Sequence, residues 1–167
     1  MGSRSAQRRL SAAAATAAAL ILAAQAAAAA PACESDLARI KRADGTERVF
    51  HIELADDPAE RARGLMGREP LAPEAGMLFV YETEQPVAFW MKDTPAPLDM
   101  LFINAAGQVV RVHPRAVPFD ETPIPSGAPV RFVLEIAGGQ AAAQGLAPGA
   151  VLAHPAIAPT GAAWPCR

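Results

Sequence analysis

The side chains best suited to chemistry crowd into one stretch of this sequence, Phe89-Trp90-Met91-Lys92-Asp93-Thr94-Pro95-Ala96-Pro97-Leu98-Asp99-Met100-Leu101-Phe102. Lys92, Asp93 and Asp99 set opposite charges beside Trp90, a ring on which a ligand can stack while the charges orient it. Arg63, Arg68, Glu74 and Glu135 extend the set, each close in sequence to apolar residues. A charge in such surroundings persists only when it is paired and hydrogen-bonded. Two non-enzymatic readings therefore lead. In one, Lys92 or Arg63 pairs with Asp99 or Glu135 and ties a helix to a sheet. In the other, Arg63, Glu74, Trp90, Lys92, Asp93, Asp99 and Glu135 border a pocket for a small polar ligand.

Two further chemistries are open. Asp99 with Glu74 or Glu135 can serve a hydrolase as general acid and base, provided burial drives their pKa values apart. Met66, Met77, Met91 and Met100 offer thioethers of the kind that hold Cu(I). Met77, Met91 and Met100, however, stand at strand positions where methionine fills a core. His51, His113 and His154 are dispersed, without the spacing of metal ligands. No serine or cysteine lies in a nucleophile motif, and no glycine-rich phosphate loop follows a strand. The sequence predicts neither a metal nor a cofactor.

The elements that must position these residues are mostly short strands. Alternation sets Phe89 and Met91 against Trp90 and Lys92, and Leu98, Met100 and Phe102 against Asp99 and Leu101. Between these two expected strands Pro95 and Pro97 remove two backbone donors and bias Thr94 and Ala96 toward extended geometry, making a stiff corner. Upstream, the alternating runs 37–42 and 48–54 flank Asp44-Gly45, a tight-hairpin signal that leaves His51 partly exposed on a sheet. Asp57-Pro58-Ala59-Glu60 supplies a cap, a first-turn proline and a capping box for a helix over 58–63, stopped by Gly64. Residues 77–81, 108–113, 130–136 and 150–153 read as strands, with Glu135 on the same face as Arg131 and Val133. Residues 140–144 read as a second short helix closed by Gly145. The segment 114–129, with five prolines, reads as a long surface loop. About seven to nine strands and two short helices make a mostly β, antiparallel sandwich or partly closed barrel.

Ahead of this domain stands a segment of another kind. Arg4, Arg8 and Arg9 precede an alanine-rich apolar run over 10–24, followed by small residues with A-x-A sites at Ala24-Gln25-Ala26 and Ala28-Ala29-Ala30. That is the pattern of a cleaved export signal over 1–30, which leaves 31–167 as a single domain in the periplasm or outside the cell. Three of the 15 basic residues fall in the leader, so 12 face 17 acidic ones and the domain carries a net charge of −5. Such a balance argues against nucleic acid and against an anionic membrane surface as partners. The only two cysteines, Cys33 and Cys166, bracket the domain, and an oxidising compartment favours their disulfide. A lipid anchor on Cys33 is the rival, which Ala30-Pro31-Ala32 fits poorly.

Several blocks together resemble one bacterial and archaeal family. They are Glu60-Arg61-Ala62-Arg63-Gly64-Leu65-Met66-Gly67-Arg68, Gly76-Met77-Leu78-Phe79-Val80, Phe89-Trp90-Met91-Lys92, Pro97-Leu98-Asp99-Met100, Val133-Leu134-Glu135-Ile136 and Gly145-Leu146-Ala147-Pro148-Gly149. The resemblance, running from about Phe50 to Leu152, is to the uncharacterised ACR (ancient conserved region) family, a domain of unknown function. It implies a jelly-roll-like β-sandwich, often exported, and no established activity. The family usually has asparagine after the lysine where this chain has Asp93, and bulky apolar residues where it has Pro95-Ala96.

Overall fold

Through Asp44 and Gly45, β1 (Leu37–Lys41) turns back on β2 (Glu47–Ala55), setting Leu37 opposite His51 and Lys41 opposite Glu47. Gly45 takes φ +82°, a left-handed conformation that glycine enters without steric cost. The structure, a computed structural model, describes residues 32–166, and the leader expected over 1–30 lies outside them. α1 (Pro58–Arg63) forms where its capping signals place it. Asp57 accepts from the N–H groups of Ala59 and Glu60, and Glu60 reaches back to the N–H of Asp57. The helix carries the chain across to β3 (Ala75–Gln85), which lies parallel to β2. Alternation alone predicts antiparallel neighbours here; the crossover through α1 is what makes this pair parallel.

With β5 (Leu98–Ile103), β6 (Val109–Ala116), β8 (Val130–Ala137) and β9 (Val151–Ala153), these strands form one seven-stranded sheet in the order β6-β5-β8-β3-β2-β1-β9. Its two edges meet. Gln108 bridges Val151, and Val109 donates to the Ala150 carbonyl while Leu152 donates to that of Gly107. Of the two architectures open to the sequence, the partly closed barrel is the one formed.

Curling gives the sheet two apolar layers. The inner layer includes Ile40, Phe50, Leu78, Leu101, Phe132, Leu134, Ile136 and Leu152. The outer one gathers Met77, Phe79, Met100, Phe102 and Val133, with Leu65 and Met91 packed on from outside the sheet. β3, β5 and β8 feed both layers by alternation, so 76–79, 98–103 and 132–136 are buried without interruption. Each fully buried large side chain is worth about 1.5–3 kcal/mol, and these three strands supply most of them. A second, two-stranded sheet of β4 (Ala88–Phe89) and β7 (Ile124–Pro125) lies over the outer layer, where Phe89 and Ile124 pack. α2 (Gln140–Ala143) is the expected second helix, one residue shorter.

Two expectations change. The strand expected over 89–92 stops at Phe89, because Met91 donates to the Asp120 carbonyl and Thr94 donates back to Met91, folding 90–94 into a turn. The segment 114–129 is not all loop, since β6 continues to Ala116 and β7 lies within it.

Cys33 and Cys166 form a disulfide, 133 residues apart in sequence with Cα atoms 5.6 Å apart. Beside it Trp164 is buried under Lys41, whose Nζ lies 4.4 Å from the ring centroid. His154 takes the N–H of Ala156 on Nδ1, so its Nε2 carries the proton and donates to the Ser35 carbonyl. The C-terminal tail is thus fastened to β1. No helix among the described residues is long and apolar enough to cross a membrane. In the chain-entropy model, closing so long a loop stabilises by about 5 kcal/mol. The Cys33→Ser, Cys166→Ser pair should lower the unfolding free energy in urea by up to that amount, and reductant should bring wild type to the same midpoint. An unchanged midpoint would show that the packed tail suffices without the bond.

Candidate functional site

The register of β8 against its neighbours decides which charged residues can meet. Asp99 on β5 lies opposite Ile136, and Glu135 lies opposite Met100 on β5 and Met77 on β3. Adjacent positions on a strand point to opposite faces. Asp99 therefore joins the inner layer and Glu135 the outer one. They cannot form the carboxylate pair of a hydrolase.

Asp99 is fully buried and fully used. Its Oδ1 accepts from the N–H groups of Arg115 (2.7 Å) and Gly139 (2.9 Å), and its Oδ2 from that of Ala141 (2.7 Å). Arg115 stands at φ +48° and Gly139 at φ +91°, conformations that turn both donors toward the carboxylate. One side chain thus ties β5 to the end of β6 and to the start of α2. The ion pairs expected between Asp99 or Glu135 and Lys92 or Arg63 do not form; the three ion pairs among the described residues are Arg39–Glu47, Arg42–Asp44 and Arg68–Glu53.

Glu135 has the opposite circumstances. It is 4% exposed, yet among the described residues its carboxyl has neither a hydrogen bond nor an ion pair. Burial pushes its pKa up to about 8. It forms the floor of a cleft of about 290 Å³. One wall is α1 and the turn after it, with Arg61, Arg63, Gly64 and Met66; the other is Phe89, Trp90 and Thr94, and Phe79 and Tyr81 of β3 complete the lining. Gly64 ends the helix at φ +49°, and any Cβ there would stand 3.1 Å from the ring of Phe79.

The walls are held by backbone contacts. Arg61 donates through Nη1 to the carbonyls of Asp56 (2.6 Å) and Val80 (2.9 Å), and its guanidinium lies 5.2 Å from the Tyr81 ring centroid. Burial raises the Tyr81 hydroxyl above its ordinary pKa against the pull of Arg61, and Glu135 adds to the rise. Gly67 donates to the Asp93 carbonyl at 2.8 Å, joining the α1 wall to the corner. Phe89 packs edge-on against Phe79, with centroids 4.9 Å apart. Trp90 is 46% exposed, with Lys92 Nζ 5.4 Å from its ring centroid. The buried Thr94 donates through Oγ1 to the Lys92 carbonyl.

Of the residues expected at a site, the structure brings Arg63, Trp90 and Glu135 together, with Lys92 against the outer wall. Asp99 is sealed in the inner layer, and Glu74 is exposed on the turn before β3, where its carbonyl accepts from His51. Asp93 is exposed at φ +50°. Arg61 and Tyr81 also line the cleft; the only tyrosine and a second arginine in α1 are visible in the sequence, but which layer they face is not. Met77, Met91 and Met100 are buried in the outer layer, while Met66 alone of the four reaches the cleft.

The sequence matches the family described as Uncharacterized ACR, domain of unknown function 192, over residues 39–154. The chain belongs to that family. Among solved structures it is similar to a Sinorhizobium meliloti 1021 protein provisionally described as a transcription regulator. That one is 41% identical, covers 72% of this chain and 94% of its own, and superposes with a TM-score of 0.69. A Novosphingobium aromaticivorans DSM 12444 protein of unknown function is 40% identical over 75% of this chain and 93% of its own, with a TM-score of 0.67. No curated protein matches.

Two substitutions separate the carboxylates and their roles. Asp99→Ala strands one buried and two partly buried N–H groups and should cost on the order of 3 kcal/mol in urea unfolding, whereas Lys92→Met should stay within about 0.5 kcal/mol. Equal effects would contradict the assignment. Glu135 holds a proton in the folded chain that the unfolded chain releases above its ordinary pKa of 4.5. Its contribution is therefore intact below about pH 4.5 and is lost as pH rises to about 8. Glu135→Gln should abolish that slope and by pH 8 exceed wild type by an amount on the order of 3 kcal/mol. Parallel stability curves across this range would show that the carboxyl is not desolvated.

Proposed function

We propose that this protein is an exported, non-catalytic binding protein whose cleft takes a small polar ligand. The observation that carries this reading is Glu135, a 4%-exposed side chain whose carboxyl has no hydrogen bond or ion pair to the described residues, at the floor of an open cleft beside a half-exposed tryptophan. A buried polar group left unpaired costs stability, and a ligand that hydrogen-bonds it recovers that cost on binding. The volume suits a molecule of a few to a dozen heavy atoms, at the lower end for ligand pockets. A hydrolytic reading needs a second carboxyl beside Glu135, and neither Asp99 nor Glu74 borders the cleft. Export is supported by the leader pattern together with the disulfide. Gene regulation, suggested by the description of one relative, finds little support in a domain charge of −5 and in helices of six and four residues.

The test is a panel of sugars, amino acids, organic acids and nucleosides followed by thermal unfolding and by tryptophan emission, with Trp90→Phe as the blank. A ligand at a hundred times its Kd should stabilise by about 2.7 kcal/mol. The response should disappear in Glu135→Leu, which removes the floor carboxyl and keeps the core apolar. Ligands that stabilise Glu135→Leu as well as wild type would place binding elsewhere and overturn the reading.

A further inference from the structure

We propose that the cleft selects a small organic acid, whose carboxylate sits between Glu135 at the floor and the guanidinium of Arg63 at the rim while its apolar or ring face lies on Trp90. The inference rests on the reading of the cleft as a binding site and names its ligand class.

Arg63 lines the cleft and its guanidinium, among the described residues, has neither a hydrogen bond nor an ion pair. A guanidinium carries five N–H donors in a fork that matches a carboxylate. Arg61 spends Nη1 on two carbonyls but keeps its charge. Lys92 adds a third positive charge against Trp90. The ion pairs of the described residues all lie away from the cleft, so no carboxylate neutralises these cations at contact distance. Glu135 is the one acidic residue in the lining. In a domain with an excess of acid, the cleft is the reverse.

Arg61 and Arg63 of α1 and Tyr81 of β3 share the cleft lining with Glu135, Lys92 lies against Trp90 at the corner, and β5 sets Met100 beside Glu135. With a pKa of about 8, the Glu135 carboxyl is about one-tenth ionised at pH 7 and presents an O–H donor to the cleft. A cationic ligand would have to ionise it, losing about a factor of ten at pH 7, and would meet two guanidinium groups on the way. A neutral ligand leaves Arg63 without a counter-charge. A carboxylate takes the floor hydrogen bond and the rim charge together, and Trp90 has room for the remainder of the molecule.

Benzoate and glucuronate are the probes, compared with benzamide, glucose, agmatine and inorganic phosphate, by Trp90 emission and titration calorimetry. At least one acid should bind at least tenfold more tightly than its neutral counterpart. Its Kd should rise about tenfold per pH unit above pH 8, with uptake of about one proton on binding at pH 9 and none at pH 6. Arg63→Gln, at an exposed position, should weaken the acid at least tenfold. Glu135→Gln, which keeps an N–H donor, should retain binding at pH 7 and lose the pH dependence. Glucose, benzamide, agmatine or phosphate binding as tightly as the acids would overturn the ligand class and leave the cleft reading standing. So would an affinity unchanged from pH 6 to pH 9. Silence of every probe at pH 6, with Trp90 unresponsive, would overturn both.

Discussion

Three backbone N–H groups converge on the carboxylate of Asp99, and the geometry of the sheet depends on that convergence. Arg115 comes from the end of β6, Gly139 from the turn after β8 and Ala141 from α2, so three segments are fixed by one side chain of β5. Each of those donors is buried or partly buried, and an unmet one costs about 1–3 kcal/mol. The carboxylate fixes β5 between β6 and β8 at the end where the Pro97 carbonyl also takes the N–H of Gly138. That register sets Met100 beside Glu135 and keeps the outer face of β8 turned to the cleft.

Glu135 meets the same constraint without the same answer. It lies on the neighbouring strand, in the opposite layer, between two methionines and with no donor supplied by the fold. Replacing it by an apolar residue would complete the outer core. A carboxyl in such a place departs from the local consistency of the layer around it. The two acids look equivalent in sequence, each one residue from apolar strand positions. One organises the chain, and the other is the group on which the proposed site rests.

Local signals made much of the fold legible. The capping box at Asp57 and Glu60, the turn at Asp44-Gly45 and the alternation along 98–102 and 130–136 each act over a few residues, and each has its counterpart in the structure. What alternation cannot supply is the register between strands distant in sequence. That register put Asp99 and Glu135 on different layers. The short run of strand at Phe89 failed for a related reason: Met91 finds its partner at Asp120, 29 positions on, which no local pattern announces. Asp93 is the converse case. Its φ of +50° is a region that asparagine and aspartate enter more readily than other side chains, so the departure from the family's asparagine preserves the turn. Its side chain is exposed, and the added charge falls at the surface.

The cleft is also preformed, which bears on how it can bind. Arg61 locks α1 to β3, Gly67 joins the turn after α1 to Asp93, and the corner is gripped from outside by the bonds of Met91 to Asp120 and of Phe119 to Thr94. Phe119 holds φ +61° there while 63% exposed, a conformation unfavourable for a bulky residue and sustained by the surrounding bonds. Both walls are therefore held by bonds of the fold itself. The adjustable parts are the exposed side chains, Arg63 and Trp90, while the floor is set by a strand buried on both faces. A site of that construction loses little conformational freedom on binding, so its affinity depends mainly on how well a ligand satisfies the fixed carboxyl. Loose fit at the rim and strict chemistry at the floor would let one cleft accept ligands that differ in body but share the group that Glu135 receives.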